Sequence, residues 1–413
     1  MRVVLFSQHF LLEVTAARFR AEAFARELIG RGHDLKVICP VPNHPQGVVR
    51  PEFRGHLVQR RQIDGIVVEY VWVKASVAKT TLSRVAYYGS YAAMALALGV
   101  RGPRPDVILA TSPPLPVAMS AAAVARRHGA KWVFDVRDIW PDVAMALGEL
   151  PPGMPARAIA RIESVLLRDA AAITTVTEPF ANNMAAKLGG DRKISVIPNG
   201  TTRAWMQAGE KASVNSRPTR DGERFVWIYA GNLGLSHGLE RAVEAAALLN
   251  DDFQLLIMGD GPQRDALEKQ AADLPAGRVA FLSLQEPAEA ARTMSAADAL
   301  LVIQRDDLKD VVSSKLYDCC ALGRPILSVA AGEMNRLVKA SDAAMVVEGS
   351  DPARIAAAVR KLRDEPSLGS RLAANARAFA AAHLREDQAS EMATLLEAVG
   401  SGTEPYALKG RGR

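Results

Sequence analysis

The chain alternates, along almost its whole length, between short apolar runs typical of buried strands and longer stretches with helical spacing. Strands joined through helices pair in parallel, and a parallel sheet needs helices on both of its faces. The pattern therefore predicts an α/β protein. At 413 residues the chain is too long for a single hydrophobic core, so we expect two such domains.

Strands are predicted in both halves of the chain. In the first half they are expected near Val3–Phe6, Asp34–Ile38, Val67–Val71, Val107–Ala110, Trp132–Asp135, Ala172–Val176 and Ile194–Ile197. In the second half they are expected near Val226–Ala230, Gln254–Met258, Val279–Leu282, Ala299–Ile303 and Pro325–Val329. The helical spacing predicts helices over Ala16–Arg31, Gly238–Leu249, Arg264–Ala272, Ala288–Met294 and Ser314–Leu322.

The break between the halves is predicted at Pro198-Asn199-Gly200, so that residues 1–198 form the first domain and 199–382 the second. The polar stretch Gln207–Glu223 is predicted to be the interdomain linker. An amphipathic helix over about 383–400 should pack somewhere, with a return to the first domain as one arrangement, and residues 401–413 are predicted to be a disordered tail.

Composition excludes several classes of protein. Hydrophobic residues make up 49% and charged residues 23%, as in soluble globular proteins. No stretch reaches the roughly 18 uncharged apolar residues of a membrane-spanning helix, and the apolar start is too short for a secretion signal. The cysteines Cys39, Cys319 and Cys320 form no metal pattern. No nucleic-acid module is present, and a cytoplasmic location fits.

The two halves differ in charge. Residues 1–198 hold 25 Lys and Arg against 16 Asp and Glu, while residues 199–413 hold 26 against 29. The segment Tyr70–Pro105 contains no acid, and within it Val85–Val100 is uncharged and apolar. This predicts that residues 76–104 meet an anionic membrane surface through a helix lying in the interface. The alternative is a helix buried in the first domain.

The loop and helix that follow Ala299–Ile303 carry two carboxylates and a lysine. Ser313 and Ser314 are suited to begin a helix, so that free backbone amides and the charge of Lys315 would face an anion such as a phosphate. Asp310 and Asp318 are placed to accept hydrogen bonds from the hydroxyls of a nucleotide sugar. The alternative is an ordinary strand-loop-helix unit with solvated acids.

Glycine-rich loops follow two other strands of the second half. One is Gly231-Asn232-Leu233-Gly234-Leu235-Ser236-His237-Gly238, and the other begins Gly259-Asp260-Gly261-Pro262. Glycine lets the backbone approach a bulky anion, although either loop by itself is equally typical of a tight turn. These two loops and the loop before Ser314 all follow strands of the same half of the chain, and together they favour a phosphate-binding site.

Taken together, these motifs resemble the donor half of the retaining glycosyltransferases of family 4, which have the GT-B fold. The stretch from Thr174–Thr177 through Ile197–Gly200 resembles the family's crossover into its second domain. The segments Gly32–Val37, Pro42–Gly47 and Asp135–Asp142 are similar to those of a bacterial subgroup that builds capsule, O-antigen or colanic-acid-type polysaccharide. The resemblance implies two doubly wound Rossmann-like domains facing a central cleft. In the family the two acids are usually glutamates, and an arginine and a lysine stand where this chain has Asn232 and His237.

The resemblance also implies roles for individual residues. The donor site would comprise Gly231, Asn232, His237, Gly259, Gly261, Ser313, Ser314, Lys315, Leu316 and Asp318. Asp138, Asp310 and Lys315 would be the catalytic residues, with the lysine and the amides after Ser313 stabilising the leaving diphosphate. Arg137 and His9 would face the acceptor. Asp138 paired with Arg137, or capping a helix, and a purely structural His9 are the alternatives.

The function expected is transfer of a sugar, with retention, from a UDP-sugar to a lipid-linked saccharide at the inner face of the plasma membrane. No metal and no cofactor beyond the nucleotide-sugar substrate are expected. A UDP-sugar epimerase of the same fold and a catalytically inert subunit are the alternatives.

Overall fold

The structure, a computed structural model, describes residues 1–13, 15–44, 46–78, 80–146, 148, 150–190, 193–215 and 224–403. These residues form two compact units, one comprising Met1–Pro198 with the chain from Arg385, the other Asn199–Leu384. Each unit is built on a largely parallel sheet with helices in the connections. The predicted α/β class is confirmed.

The first unit contains a sheet of eight strands among its described residues, in the order β3-β4-β2-β1-β5-β6-β7-β8. The strands are β1 (Arg2–Phe6), β2 (Asp34–Pro40), β3 (Val58–Ile63), β4 (Ile66–Val71), β5 (Val107–Ser112), β6 (Lys131–Val136), β7 (Ala172–Thr175) and β8 (Ser195–Val196). Its helices are α1 (Ala16–Gly30), α2 (Thr81–Arg101), α3 (Leu115–His128), α4 (Asp142–Ala146), α5 (Met154–Asp169) and α6 (Glu178–Lys187).

The second unit contains a sheet of six strands among its described residues, in the order β11-β10-β9-β12-β13-β14. After helix α7 (Arg203–Asn215) come β9 (Phe225–Ala230), α8 (Glu240–Ala247), β10 (Phe253–Met258), α9 (Arg264–Ala271), β11 (Val279–Leu282), α10 (Pro287–Ala296) and β12 (Ala299–Ile303). The unit is completed by α11 (Ser314–Ala321), β13 (Ile326–Ala330), α12 (Glu333–Ala340), β14 (Met345–Glu348), α13 (Pro352–Asp364) and α14 (Pro366–Ala381).

Alternate residues of the central strands enter two separate cores. On β12, Leu301 and Ile303 belong to one apolar cluster, while Leu300 and Val302 belong to the other. Successive side chains of a strand point to opposite faces of the sheet, so both faces must be covered by helices. This explains why the strands of this unit are apolar without alternation.

The structure differs from the sequence-based predictions in two strands that were not predicted and in one predicted linker. Strand β3 pairs with β4 in antiparallel register and was not predicted, because its side chains alternate between exposed and half-buried. Strand β14 was also missed. The predicted linker Gln207–Glu223 is wrong over 207–215, which belong to α7 and pack against α10 and α11. Residues 216–223, like 404–413 of the predicted tail, lie outside the described residues.

Arg20 connects the sheet of the first unit to the chain segment just before the second unit begins. Its guanidinium forms two hydrogen bonds with the buried Asp135 carboxylate, at 2.9 and 3.1 Å. The same group donates to the carbonyl oxygens of Ile197 and Pro198, at 2.9 and 3.0 Å. Burial by itself raises the pKa of Asp135, but the Arg20 charge and the Thr174 hydroxyl hold it below its usual value. Breaking such a buried pair typically costs about 3–5 kcal/mol.

The last helix, α15 (Arg385–Ser401), belongs to the first unit and packs against α1. Glu397 accepts hydrogen bonds from Arg31 and from the His33 ring, at 3.0 and 2.9 Å. Its inner side is buried and includes Met392 and Leu396, which have no exposed surface. The chain therefore returns to its first unit after completing the second.

Helix α2 contains the segment predicted to lie in a membrane interface. Its middle and carboxyl end pack against α3, and Tyr91, Ala95 and Gly99 are buried. One side of the helix is therefore covered by the first unit, while its first turns keep exposed apolar side chains. The membrane contact stays a prediction. Among the described residues, no helix is both long enough and apolar enough to cross a bilayer.

Candidate functional site

The three loops singled out in the second half of the chain follow β10, β9 and β12, which are neighbours in the sheet of the second unit. Their strands run parallel, so the loops leave from one edge of the sheet. Ligands of doubly wound folds bind at this carboxyl edge. The structure thus brings together loops that are about 80 residues apart in sequence.

The two glycine-rich loops pack backbone against backbone. Gly231 donates its amide to Met258, and Leu233 donates to Asp260, at 2.8 and 2.9 Å. Gly259 has a φ of +143°, and a Cβ placed there would collide with the carbonyl oxygen of Gly231. Glycine is thus required for the loops to meet. Asn232 and Asp260 remain exposed on this edge.

The side chain of Lys315 lies against the glycine-rich loop that follows β9. Its ammonium lies 2.6 Å from Nε2 of His237 and 5.3 Å from the ring centre of Tyr229. Gly231 makes room for it, because a Cβ there would overlap the Cε atom of the lysine. Burial lowers the pKa of Lys315 to about 8, so it is still largely charged at neutral pH. A cation is therefore fixed at the edge where a phosphate was expected.

The imidazole of His237 is neutral at physiological pH. Burial, and then the adjacent Lys315 charge, lower the pKa of His237 to about 3. Its second nitrogen, Nδ1, lies 2.8 Å from the Ser236 hydroxyl. The backbone of Ser236 is in turn tied to the third loop, because its carbonyl accepts the amide of Arg305 at 3.1 Å.

Helix α11 begins in the third loop. Ser313 occupies its N-cap position, yet its side chain makes no capping hydrogen bond within residues 224–403. The first amides of the helix, from Ser314 and Lys315, therefore keep their ability to donate to an anion. The loop before them is shaped by the buried amide of Gln304, which donates to the carbonyls of Leu308 and Val311 at 2.8 and 3.0 Å.

The two predicted carboxylates differ in setting. Asp310 is exposed on the loop before α11, whereas Asp318 is half-buried in its second turn. The carbonyl of Asp318 accepts a hydrogen bond from the Trp205 indole of α7, at 2.9 Å. Leu316 is not placed with the polar groups: its side chain is fully buried, and its amide donates to Ser313.

Cys319 and Cys320, which follow on the same helix, are buried in the core. Burial raises the pKa of the Cys319 thiol to about 12. The thiols therefore remain protonated, as expected of groups that pack.

In the first unit, His9 follows β1 and is paired with Glu13. Nδ1 of the imidazole lies 2.5 Å from a Glu13 carboxylate oxygen, and the other oxygen accepts the amides of Asn43 and His44 at 2.9 and 3.0 Å. Burial raises the pKa of Glu13, but these hydrogen bonds outweigh it and lower the net value. The His44 ring meets that of His9 edge-on at 5.1 Å. His9 is thus oriented by an ionised acid.

Asp138 and Arg137 follow β6 in the same unit. Burial raises the pKa of Asp138, and the neighbouring Arg137 charge opposes the rise. Arg137 donates to the Thr111 hydroxyl at 2.9 Å, and Asp138 accepts no hydrogen bond among the described residues. The carboxylate of Asp138 is therefore not used as a helix cap.

Comparison with known proteins identifies the family. Residues 15–200 match the family described as "Glycosyl transferase 4-like domain", and residues 212–379 match "Glycosyl transferases group 1". The chain belongs to the family 4 glycosyltransferases.

One relative of this glycosyltransferase is the Escherichia coli (strain K12) "Putative colanic acid biosynthesis glycosyl transferase WcaI". It is 26% identical over 78% of this chain and 82% of its own length. The lipopolysaccharide core biosynthesis glycosyltransferase LpsD of Rhizobium meliloti (strain 1021) is 31% identical over 46% of this chain and 54% of its own. Anabaena Alr3699/HepE, solved in complex with UDP and glucose, superposes with a TM-score of 0.68 at 16% identity, over 95% of this chain and 99% of that chain. The GT-B fold predicted from the sequence is confirmed.

Sequence reasoning missed several residues around these sites in the glycosyltransferase. Glu13 was passed over, although its spacing of four from His9 is a detectable signal. His44, Tyr229, Ser236 and Gln304 gave no such signal, because their partners are contributed by other loops or by buried backbone groups.

The glycosyltransferase offers no cluster of three or more histidines, cysteines and acids for a metal ion among its described residues. Metal independence stays a prediction. The measurement that checks it is activity after treatment with EDTA.

Proposed function

We propose that this glycosyltransferase moves a sugar, with retention of configuration, from a UDP-sugar to a lipid-linked saccharide in surface polysaccharide biosynthesis. The observation that carries the proposal is the half-buried ammonium of Lys315, fixed between a glycine-rich loop and the amino end of α11. These groups are those that bind a diphosphate. The relatives' colanic acid and lipopolysaccharide names, and the UDP complex of the structural neighbour, support the same substrate class.

The leaving diphosphate gains negative charge in the transition state, and catalysis depends on stabilising it. Lys315 and the first amides of α11 are the groups suited to do so. Removing one such donor typically costs about 3–4 kcal/mol of activation free energy. We assign Asp310 to hydroxyls of the transferred sugar and Asp318 to those of the ribose.

The acceptor is assigned to the first unit. His9, oriented by Glu13, and the half-buried Asp138 are polar groups at the carboxyl ends of β1 and β6, suited to bind sugar hydroxyls. In a retaining front-face transfer the departing phosphate takes the acceptor proton, so neither residue has to act as a base. Their role is to orient the acceptor.

We assign the membrane contact to exposed side chains at and before the start of α2, here called the patch: the apolar Trp72, Val77, Leu82 and Val85 and the basic Lys74 and Arg84. Leu82 is 78% exposed and Val77 is 69% exposed, values unusual for large apolar side chains. The segment before α2 is held against that helix, because the Ser90 hydroxyl accepts a hydrogen bond from the amide of Lys74 at 2.9 Å. Apolar side chains among basic residues suit an anionic lipid surface. The patch narrows the membrane surface predicted over residues 76–104 to the side chains at and before the start of α2.

The proposed function is tested by a screen of nucleotide sugars with release of the nucleoside diphosphate as readout and a membrane extract as acceptor. We expect release only with acceptor present, and a loss of about 100-fold or more in Lys315→Met. Lys309→Met, which removes an exposed lysine nearby, is the matched control. Turnover of UDP-sugars without any acceptor would instead indicate an epimerase. No turnover, and equal behaviour of wild type and Lys315→Met, would reject the proposal.

A further inference from the structure

The contact between Lys315 and His237 defines the protonation state of both. A lysine ammonium can only donate, so Nε2 of His237, 2.6 Å away, must be the acceptor. A neutral imidazole then carries its single proton on Nδ1, which donates to the Ser236 hydroxyl at 2.8 Å. This tautomer is assigned from the hydrogen-bond network. Without a ligand, the pair therefore carries one positive charge.

Within the part of the chain that the structure describes, no acid contacts the imidazole of His237. The Tyr229 ring meets it edge-on at 5.8 Å, and its phenol donates to the carbonyl of Asn232. The closest of the other charged or titratable groups are Glu240 beside Gly238, and Asp318 and Cys319 beside Lys315. The same loops and helices also carry Asp260, Arg241, Asp306, Lys309, Asp310 and the ion pair of Arg305 with Asp307. Lys315 is the only one of these groups within hydrogen-bond distance of an imidazole nitrogen among the described residues.

A diphosphate changes this balance, since its negative charges favour cations. Here the inference rests on the proposed function. We propose that His237 takes up one proton from solvent when a diphosphate binds, and then donates Nε2–H to a phosphate oxygen while the released Lys315 ammonium donates to another. The site would then hold two positive charges, on Lys315 and His237. In the glycosyltransferases that this loop resembles, an arginine and a lysine supply two positive charges.

The consequence is an affinity that depends on pH. While the free histidine is neutral and the bound one is protonated, each unit of decrease in pH tightens binding by up to about tenfold. Lys315 has a pKa of about 8, so it would take up a proton on ligand binding only at higher pH, where part of it is neutral. Measurements at pH 7 and below therefore report mainly on His237.

The test is titration calorimetry with UDP at pH 7, repeated in buffers of different ionisation enthalpy, which yields the number of protons bound with each UDP. The matched variant is His237→Gln, which retains a hydrogen-bonding side chain but cannot be protonated. The terminal phosphate of UDP ionises near pH 6, and the difference between the two proteins removes this contribution. We expect wild type to take up close to one proton more than the variant; equal uptake would overturn the inference.

A second measurement does not depend on the variant folding. Protein labelled with ¹⁵N in its seven histidines reports the charge of each imidazole by NMR. One neutral imidazole is expected to become an imidazolium when UDP is added at pH 7. If UDP binds to wild type, binds more weakly to Lys315→Met, and leaves the charge of every imidazole unchanged, this inference fails while the proposed function stands. If UDP does not bind wild type at all, the proposed function itself fails.

Discussion

At the scale of single residues, the site depends on a position with no side chain. Gly231 has a φ of +133°, and a Cβ there would overlap the side chain of Lys315. Gly231→Ala should therefore displace the ammonium and weaken UDP binding by tenfold or more. Gly238→Ala is the control, because Gly238 also has positive φ but its Cβ would make only ordinary contacts. Calorimetry with UDP decides: equal effects in both variants would show that backbone strain, about 1 kcal/mol or more, is the cause.

His237 should also make the stability of the protein depend on pH. Its pKa is about 3 when folded and about 6.5 in the unfolded chain, so the unfolded state binds the proton more readily. Stability is therefore retained above pH 6.5 and falls as the pH decreases towards 3, by up to about 1.4 kcal/mol per unit. Urea unfolding of wild type and His237→Gln at pH 7 and pH 5 measures the effect. We expect the variant to lose less of its free energy of unfolding between pH 7 and pH 5 than wild type does. Equal losses in the two proteins would contradict an imidazole that is held neutral in the folded state.

At the scale of elements, helix α2 has two parts with different roles. The hydroxyl of the buried Tyr91 donates a hydrogen bond to the carbonyl of Ser7, which directly follows β1. Leu82 and Val85, in contrast, are exposed at the beginning of the helix. Replacing Leu82 and Val85 by glutamate should abolish flotation with anionic liposomes and leave thermal unfolding almost unchanged. Met154→Glu, at a residue 77% exposed elsewhere in the same unit, is the control. Flotation of the double variant at low salt would refute the membrane assignment.

Helix α7 shows why element type cannot always be inferred from polarity. Gln207–Asn215 is poor in large apolar residues, as linkers are, yet it belongs to a helix that packs against α10 and α11. The contact is made by small or amphipathic side chains, such as Ala212 and the Trp205 indole bonded to Asp318. Composition reports how much apolar surface a segment has, and not whether a neighbour covers it.

At the scale of the whole molecule, the first unit depends on the end of the chain. Truncation after Leu384 removes α15, with the buried Met392, Leu395, Leu396 and Val399. Each such side chain contributes about 1.5–3 kcal/mol, so the loss is comparable to the total stability of a domain. Truncation after Thr403 leaves every described contact in place. We expect the first truncation to unfold the first unit in circular dichroism melts and the second to behave as wild type; similar melts for both would show α15 to be dispensable.

The amino-acid sequence is sufficient to predict the fold class, nearly all of the strands and the three loops that meet at the carboxyl edge of the second sheet. It could do so because alternation and helical periodicity are local properties, visible within one turn or one strand. Asp310, Ser313 and Lys315 were found in this way, from a helix start after a strand. Their roles stay predictions until the ligand is measured.

Which side chains contact each other cannot be inferred from local sequence patterns and depends on the tertiary fold. Lys315 and His237 are 78 residues apart, and the acid that orients His9 is itself held by amides 30 and 31 residues further on. Such contacts depend on the order of strands in the sheet, which brings the ends of β9, β10 and β12 side by side. Burial then sets the charge of each group, because desolvation acts through every neighbour at once. A lysine and a histidine become a charge-sharing pair only where the fold removes them from water together.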